Sequence, residues 1–267
     1  MSEIMLPKIS LVTPIYNGAQ FLEKTLAGIR AQKYPNFEYI VCDGGSTDGT
    51  LEILKANRDM ISQLIVGKDK GMYDALAKGF AVATGDILGW LGCDDLLMPW
   101  CLRCVGEYMR DHPEARWVTG IPCRFDGEDR LTWVQPVTPY YRRSWINRRW
   151  YSPIGLGVIQ QESTFFSRQL YEMAGGLAKC DWMRNAGDFD LWCRFAGHAE
   201  LHQLGIMLAG YRLHGNNITG DGSNYYREAR AVKIPGGRVL GDAHSLAMQT
   251  WFKFKRPLNA RSFNAAK

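Results

Sequence analysis

The first hundred residues alternate β-forming runs with segments of helical periodicity, and this alternation constrains the fold more than any other feature. The predicted strands span 8–16, 37–43, 62–67 and 86–92. The predicted helices between them span 19–32, 49–57 and 71–83. Strands separated by helices pair in parallel through right-handed crossovers, and burial on both faces makes them continuous apolar runs. The sequence therefore predicts an α/β fold with a Rossmann-like, mostly parallel sheet flanked by helices.

The second half of the chain is less regular. Residues 116–136 predict a hairpin around a turn at 126–129, and a strand is expected within 162–168. A helix is expected from about residue 188, one or two strands within 200–214, and helices in the C-terminal third. The absence of repeats and linkers favours one domain over residues 1–220, with halves at about 1–115 and 116–220. Residues 221–267 then form a helical extension packed on that domain.

Composition and charge exclude several classes of protein. The net charge of +5 comes without a long Lys/Arg block, so a nucleic-acid-binding module is disfavoured. No apolar run reaches the roughly 18 residues that span a bilayer, and residues 1–14 lack the pattern of a signal peptide. Seven scattered cysteines predict free thiols in a reducing compartment. We therefore expect a cytoplasmic protein.

Polar and acidic residues follow three of the predicted strands. In a parallel sheet the carboxyl ends of the strands form the ligand-binding edge. The first strand ends in Thr13-Pro14-Ile15-Tyr16-Asn17, Asp43 ends the second and leads into Gly44-Gly45-Ser46-Thr47-Asp48, and Asp94 and Asp95 follow the fourth. Paired carboxylates suit a hard cation such as Mg²⁺ or Mn²⁺. The alternatives are that Asp48 only caps the next helix, and that the acidic pair is a turn before a helix starting at Leu96.

One acidic residue of the second half is predicted to face inward. If 187–195 is helical, Asp188 lies on an apolar face and could serve as a general base; the alternative is a helix cap. The other residues of that face are Leu191, Trp192 and Phe195. Asp190 instead lines up with Arg194 as a surface ion pair. His214 is of interest only if it lies near the acids, since a lone histidine is more often structural.

Two segments, 140–151 and 251–256, interleave arginine or lysine with aromatic residues. Arginine binds phosphate groups, and tryptophan and tyrosine favour lipid–water interfaces. These segments suggest peripheral contact with an anionic membrane. The alternative is a solvated basic loop with its aromatic rings packed beneath.

Several segments together resemble the family 2 glycosyltransferases, which have the GT-A fold. They are "SLVTPIYNGAQFLEKTLAGIRAQKYPNFEYIVCDGGSTDGT", "DKGMYDALAKGFAVATGDILGWLGCDD", "ESTFFSRQLYEMAGGL", "GDFDLWCRF" and "YRLHGNNIT". The resemblance runs from about Ile9 to Thr219. It implies a nucleotide-sugar half at about 1–115, followed by an acceptor half with a smaller sheet.

The resemblance also implies roles for individual residues. Those expected to bind the nucleotide-sugar are Thr13, Pro14, Tyr16, Asp43, Gly45, Asp74 and Asp94. Asp95 and His214 are expected to hold Mn²⁺ or Mg²⁺, and Asp188 to deprotonate the acceptor. Gly187 stands where many members have glutamate, so the expectation for the base rests on Asp188 alone. The expected acceptor-side residues are Gln161, Glu162 and Trp192.

The function implied is an inverting, metal-dependent transfer from a nucleoside-diphosphate sugar, with UDP favoured. The acceptor would be a hydroxyl of a glycan or lipid-linked saccharide, in polysaccharide biosynthesis at the inner membrane face. One alternative is a catalytically inactive nucleotide-sugar-binding regulatory or scaffold protein. Another is a sugar nucleotidyltransferase, which is expected to carry a Gly-rich loop where this chain has Tyr16-Asn17-Gly18.

Overall fold

The computed structural model describes residues 5–135, 141–149, 151, 158–180, 182–215, 217 and 223–232. The strands are β1 (Ile9–Ile15), β2 (Phe37–Asp43), β3 (Gln63–Val66), β4 (Ile87–Trp90), β5 (Leu96–Leu97), β6 (Trp117–Thr119), β7 (Cys123–Phe125), β8 (Leu131–Val134), β9 (Thr164–Ser167), β10 (Leu201–Gln203) and β11 (Ala209–Arg212). The α-helices are α1 (Ala19–Arg30), α2 (Thr50–Ala56), α3 (Met72–Val82), α4 (Cys101–Asp111), α5 (Arg143–Asn147), α6 (Arg168–Met173), α7 (Gly187–Phe195) and α8 (Ser223–Ala231).

The main sheet has seven strands in the order β10-β6-β9-β4-β1-β2-β3. Strands β1 to β4 are parallel where they pair, as their continuous apolar sequences predict. Strand β9 is antiparallel to both β4 and β6. The second half of the chain therefore contributes three strands to the same sheet, and the two halves share one framework.

The second sheet is smaller and has the order β5-β11-β7-β8. Two expectations are wrong here. Residues 116–136 do not form a single hairpin, because β6 pairs with β9 and β10 in the main sheet, which leaves β7 and β8 as the hairpin. Leu96 begins the short strand β5 and not a helix, because β11 supplies its hydrogen-bond partners; α4 begins at Cys101.

Two hydrophobic clusters lie among the helices and the main sheet. Helix α1 buries the face predicted from its periodicity, which comprises Phe21, Leu22, Leu26 and Ile29. The predicted C-terminal extension is represented by α8, and residues 233–267 lie outside the described part of the chain. None of the seven cysteines forms a disulfide. Within the described ranges, no helix combines the length and apolarity required to span a lipid bilayer.

Candidate active site

Asp43 ends β2 at the carboxyl edge of the main sheet. Its Oδ1 atom accepts hydrogen bonds from the backbone N–H groups of Gly45 and Ser46, both at 2.9 Å. Gly45 has a φ of +92°, a conformation that favours glycine. The second oxygen, Oδ2, is buried and has no hydrogen-bond partner among the described residues. Because a buried carboxylate oxygen normally has a partner, this atom is suited to receive an N–H group of a ligand.

The other predicted nucleotide-pocket residues lie at the same edge. Thr13 and Pro14 are buried within β1, whereas Tyr16 follows it with 68% of its surface exposed. A further carboxylate lies here: a Cβ atom placed on Gly44 would be 2.7 Å from Asp69 Oδ2 and 3.4 Å from the Tyr16 ring. Asp69, which the sequence did not single out, therefore lies beside the exposed ring of Tyr16.

Asp48 connects two helices at this edge. Its Oδ1 atom accepts from the backbone N–H of Thr50, at the start of α2, and its Oδ2 atom accepts from that of Ala19, at the start of α1. Asp48 was expected to cap α2, and it binds N–H groups at the start of both α1 and α2. Both bonds fix the loops that carry Asp43 and Tyr16.

Asp74 lies in the first turn of α3. Its carboxylate forms an ion pair with Lys78, at 2.8 Å, and accepts from the backbone N–H of Lys70. The hydrogen bond from Lys78 lowers the pKa of Asp74. Asp74 is therefore ionised at neutral pH, and its proximity to a sugar stays a prediction.

The acidic pair folds back over Gly92, two residues before Asp94. A Cβ atom on Gly92 would lie 2.6 Å from Asp95 Oδ2 and 2.8 Å from Asp94 Oδ1. Only glycine therefore allows both carboxylates to converge at this point. Asp94 is partly exposed, whereas Asp95 is 5% exposed and accepts the backbone N–H of Arg212 at 3.0 Å.

Arg212, at the end of β11, holds this acidic loop and was not singled out by the sequence. Its side chain is fully buried and donates to Asp129 Oδ1 through Nε and Nη2, at 2.9 and 2.7 Å. A third donor, Nη1, bonds the backbone carbonyl of Asp94. The guanidinium also lies over the ring of Phe21, 5.1 Å from its centroid. Arg212 thus joins the hairpin turn to the acidic pair.

His214 lies near the acids, which was the condition for assigning it a functional role. Its Nε2 atom is 2.9 Å from Asp94 Oδ2, and its ring packs 4.4 Å from that of Phe21. Its backbone N–H donates to the Asn217 side chain, which in turn donates to the Arg212 carbonyl. Asn217 therefore connects His214 to the end of β11, beside the acidic pair.

Glu162, expected on the acceptor side, lies close enough to both Asp188 and Asp94 to feel their charges. It is buried, and burial together with the neighbouring Asp188 and Asp94 carboxylates raises its pKa. Burial and the nearby Glu162 and Asp94 carboxylates likewise raise the pKa of Asp95. Four acids, Asp94, Asp95, Glu162 and Asp188, thus form a cluster whose electrostatic repulsion a cation would relieve.

Asp188 lies in the first turn of α7, at the inner side of the helix as predicted. Burial raises its pKa to about 7, against several hydrogen bonds that oppose the shift. Its backbone N–H donates to the Tyr73 hydroxyl at 3.3 Å, and the Tyr225 hydroxyl bonds its carboxylate. The predicted Asp190–Arg194 pair is also present, at 2.8 Å. A carboxylate with a pKa near neutrality is suited to proton transfer at physiological pH.

Two residues expected on the acceptor side have structural contacts. Gln161 donates through Nε2 to the backbone carbonyl of Trp90, at 2.6 Å. Trp192 is 2% exposed and stacks against Trp90 and Trp117, with ring centroids 5.4 and 5.7 Å away. This burial leaves little of the Trp192 ring for contact with an acceptor, and its position fixes α7 against the core.

The side chains of Asp94, Asp95 and His214 offer the kinds of atom that bind a divalent cation. Carboxylate oxygens and an imidazole nitrogen are accepted ligands of Mn²⁺, and Mg²⁺ prefers the oxygens. Among the residues that the structure describes, no group of three or more His, Cys, Asp or Glu side chains is arranged as a metal site. The remaining ligands would therefore have to come from a bound diphosphate and water.

Two arginines of the basic-aromatic segment 140–151 donate hydrogen bonds to backbone carbonyls elsewhere in the protein. Arg143 donates to the carbonyls of Ala196 and Gly197 after α7, and Arg149 donates to those of Ala229 and Arg230 in α8. These contacts satisfy carbonyl groups at helix C-termini. The second segment, 251–256, lies outside the described residues.

Comparison with known proteins identifies the family of the chain. Residues 10–172 match the family described as Glycosyl transferase family 2. The chain belongs to this family. A PGL/p-HBAD biosynthesis glycosyltransferase of Mycobacterium bovis (strain BCG / Pasteur 1173P2) is 37% identical over 118 residues, which are 43% of this chain and 46% of that protein. The putative glycosyltransferase EpsE of Bacillus subtilis (strain 168) is 30% identical over 194 residues, 71% of this chain and 66% of EpsE.

These alignments span less than two-thirds of each relative. Solved structures share the fold at lower identity. Residues 1–349 of S. aureus TarS align with a TM-score of 0.61 and 16% identity, covering 97% of this chain and 75% of that one. The mannosyltransferase PcManGT from Pyrobaculum calidifontis, in complex with GDP-Man and Mn²⁺, aligns with a TM-score of 0.61 and 18% identity, covering 95% and 82%. These solved structures show that the fold is GT-A.

Proposed function

We propose that this glycosyltransferase moves a sugar from a nucleoside diphosphate to an acceptor hydroxyl in a single, inverting displacement. The observation that carries the proposal is the acidic cluster at the carboxyl edge of the sheet. It joins Asp94 and Asp95, on the side of the nucleotide pocket, to Asp188, on the side of the second half. A donor and an acceptor bound on either side would meet at this cluster.

In the proposed step, the ionised Asp188 takes the proton of the acceptor hydroxyl. The oxygen forms a bond to the anomeric carbon while the bond between that carbon and the phosphate oxygen breaks. The electron pair of the broken bond leaves with the diphosphate. Attack opposite to the leaving group inverts the anomeric centre, and no covalent sugar–enzyme species forms.

The neighbouring residues prepare this step. Asp95 and His214, together with Asp94, would hold Mn²⁺ or Mg²⁺. When bound there, the cation supplies positive charge that stabilises the leaving diphosphate. Asp43 would accept an N–H group of the base through its unpaired Oδ2 atom, and Tyr16 would offer its exposed ring at the mouth of that pocket.

Two nucleobases, uracil and guanine, are candidates for the nucleotide of the donor. UDP is favoured by the resemblance of the nucleotide-pocket residues, and one structural neighbour is described with UDP-GlcNAc. GDP is favoured by Asp69, because guanine presents N–H donors at two positions whereas uracil presents one. A carboxylate at Asp69, beside Asp43, can only accept hydrogen bonds when ionised.

The acceptor is proposed to be a hydroxyl of a glycan or a lipid-linked saccharide in polysaccharide biosynthesis. A cytoplasmic enzyme would reach a lipid-linked acceptor by docking peripherally on the inner membrane face through 140–151 and 251–256. Sedimentation with anionic liposomes at low and high salt tests this contact. No salt-sensitive binding would contradict it.

A thermal-shift panel tests the donor site directly. UDP, GDP, dTDP and CDP are each added with Mn²⁺ and with a chelator. We expect one nucleotide to raise the melting temperature in a metal-dependent way, because a ligand that binds the folded state stabilises it. Asp95→Ala should remove the metal dependence. The absence of a shift with every nucleotide would contradict the proposed donor site.

A further inference from the structure

Helix α8 lies in the C-terminal extension, outside the segments that resemble the family, yet it contacts the residues around Asp188. Glu228 is buried on α8, and its carboxylate accepts hydrogen bonds from three consecutive backbone N–H groups. These belong to Arg184, Asn185 and Ala186, at distances of 2.8 to 3.1 Å. They are the N–H groups directly before α7, so Glu228 fixes the backbone that leads to Asp188.

The same helix also reaches the carboxylate itself. Two tyrosine hydroxyls surround Asp188, from Tyr73 on α3 and Tyr225 on α8. Tyr73 donates its only hydroxyl hydrogen to the backbone carbonyl of Asn185, at 2.9 Å, while its oxygen accepts from the Asp188 N–H. The Tyr73 hydroxyl lies farther from Asp188 Oδ1, at 3.5 Å, and the shorter bond to Asn185 competes for its one hydrogen. Tyr225 is therefore the main tyrosine donor to the Asp188 carboxylate.

Helix α8 is also held through the backbone carbonyls of its C-terminal end. Arg149 donates to the carbonyls of Ala229 and Arg230, at 3.0 and 3.1 Å, and to that of Val232. Together with the Glu228 contacts, these bonds hold the last described helix by its side chains and by its C-terminal carbonyls.

We infer that α8 is a functional part of the catalytic site, in which Tyr225 is a positioning residue for Asp188 and Glu228 anchors the helix that carries it. The hydroxyl of Tyr225 directs the carboxylate of Asp188 and stabilises its ionised form. This inference rests on the proposed role of Asp188 as the base. By this inference, the C-terminal extension takes part in catalysis and does not only pack on the domain.

The groups that face Asp188 come from several elements. They are Tyr73 of α3, Tyr225 of α8, Glu162 of the turn before β9, and Cys193 of α7 itself. Of these, Glu162 opposes ionisation of Asp188 through like charge, whereas the Tyr225 hydrogen bond lowers the pKa of Asp188. Removal of the Tyr225 hydrogen bond should therefore raise the pKa of Asp188.

The test compares Tyr225→Phe with the matched control Tyr226→Phe on the same helix. The Asp188 carboxyl carbon is followed by NMR of ¹³C-labelled aspartate during a pH titration, with its signal assigned by its absence in Asp188→Asn. We expect Tyr225→Phe to move the titration upward by about one pH unit, the size typical of one hydrogen bond to a charged group. We expect Tyr226→Phe to titrate like the wild type.

Glu228→Gln provides a second variant that leaves Tyr225 in place. We expect it to move the Asp188 titration in the same direction, and we expect the double variant Tyr225→Phe/Glu228→Gln to exceed Tyr225→Phe only slightly. Such non-additivity is the signature of two residues that act through one contact. A Tyr225→Phe titration that coincides with the wild type overturns the inference.

Donor hydrolysis measured with UDP-GlcNAc and GDP-Man, in the presence of Mn²⁺, separates this failure from that of the proposed function. If Asp188→Asn abolishes turnover while Tyr225→Phe leaves both the titration and the pH–rate profile unchanged, the positioning role alone is overturned. If Asp188→Asn keeps its turnover, the base assignment is wrong and the inference is overturned with it.

Discussion

Asp43, which is buried, and Asp188, which is half-buried, are both carboxylates of the candidate site, but they are held in opposite ways. Asp43 is fixed by N–H groups two and three residues further along its own loop. Asp188 is fixed by Tyr73, which is 115 residues away in sequence, and by Tyr225 on the last described helix. The proposed donor side is therefore organised by local contacts, whereas the proposed base depends on packing between elements far apart in sequence.

This difference has a consequence for mutation. A change near Asp43 should alter nucleotide binding while leaving the rest of the site in place. Changes at residues far from Asp188 in sequence that contact it, such as Tyr73 on α3 or Tyr225 on α8, should alter turnover without touching the nucleotide. Substitutions on each side of the site test that division.

Asp188→Asn should remove most of the turnover while sparing nucleotide binding. General-base catalysis contributes roughly 10²–10⁴-fold, and the amide cannot accept the acceptor's proton. The measurements are the transfer or hydrolysis rate and the nucleotide thermal shift. Asp190→Asn, on the same helix, is the control and should retain most of the activity. A loss of nucleotide binding in Asp188→Asn would show that the two sides of the site are not independent.

Gly92→Ala should disturb the acidic pair although it adds only a methyl group. The new carbon would lie within 3 Å of an oxygen of each carboxylate, so both must move. Misplacement of about 1 Å costs on the order of 10²-fold in rate. The control is Gly205→Ala, since a Cβ atom at Gly205 meets no atom within 4 Å. An unchanged metal-dependent nucleotide shift in Gly92→Ala would contradict the proposed role of the acidic pair.

Asp43→Asn should weaken nucleotide binding by about 10-fold, as one lost hydrogen bond to a carboxylate predicts. The asparagine carbonyl can still accept from Gly45 and Ser46, so the loop should keep its shape. Titration with the preferred nucleotide gives the affinity, and the melting temperature of the free protein gives the stability. A large fall in that melting temperature would show that the Asp43 loop is not held locally in the way its contacts indicate.

The pKa of Asp188 predicts a pH-dependent cost to stability. Its folded value of about 7 lies above the ordinary 3.8, so the folded state binds this proton more tightly than the unfolded chain. The stabilisation from this group is complete below pH 3.8 and is lost as the pH rises through 7. Asp188→Asn removes the titration and should be more stable than the wild type by about 2 kcal/mol at pH 8, about half the full conversion because the residue keeps some exposed surface.

The matching measurement is a pair of denaturant unfolding curves at pH 5 and pH 8. The advantage of Asp188→Asn should shrink at pH 5, where most of the stabilisation of the wild type by this proton is retained. If the free energies of unfolding of Asp188→Asn and the wild type differ by the same amount at both pH values, Asp188 has an ordinary pKa in the folded protein. For catalysis, the same ionisation predicts a rate that rises with pH through about 7, since only the carboxylate accepts a proton.

The first half of the chain was predictable because its signals are local. The bounds of β2 match the predicted 37–43, and the other parallel strands and their helices agree within about two residues. Asp188 was placed on the inner side of α7 from its spacing to apolar neighbours, and α7 begins one residue before it. In these regions periodicity and burial coincide, so sequence pattern was sufficient.

The remaining features depend on partners that are distant in sequence. Arg212 lies 117 residues from Asp95 and 83 from Asp129, and only its position as a cation within an apolar strand could have indicated a buried role. Glu228 had no comparable signal, since it lies in a helix of mostly polar residues. The strand at 117–119 was assigned to a hairpin because nothing nearby in sequence indicates that β9 is its neighbour.

The place of β9 in the main sheet limits how relatives of this enzyme could be recombined. An engineer who wished to exchange the acceptor specificity would join the first half of one parent to the second half of another. In this fold the seam would run between β4 and β9, through the middle of the sheet. In a chimera, β4 and β9 would come from different parents. Their backbone hydrogen bonds and the side chains on both faces of the sheet would therefore be mismatched. Exchange of the small sheet's hairpin, β7 and β8, leaves the seven-stranded ladder intact and is the more promising crossover.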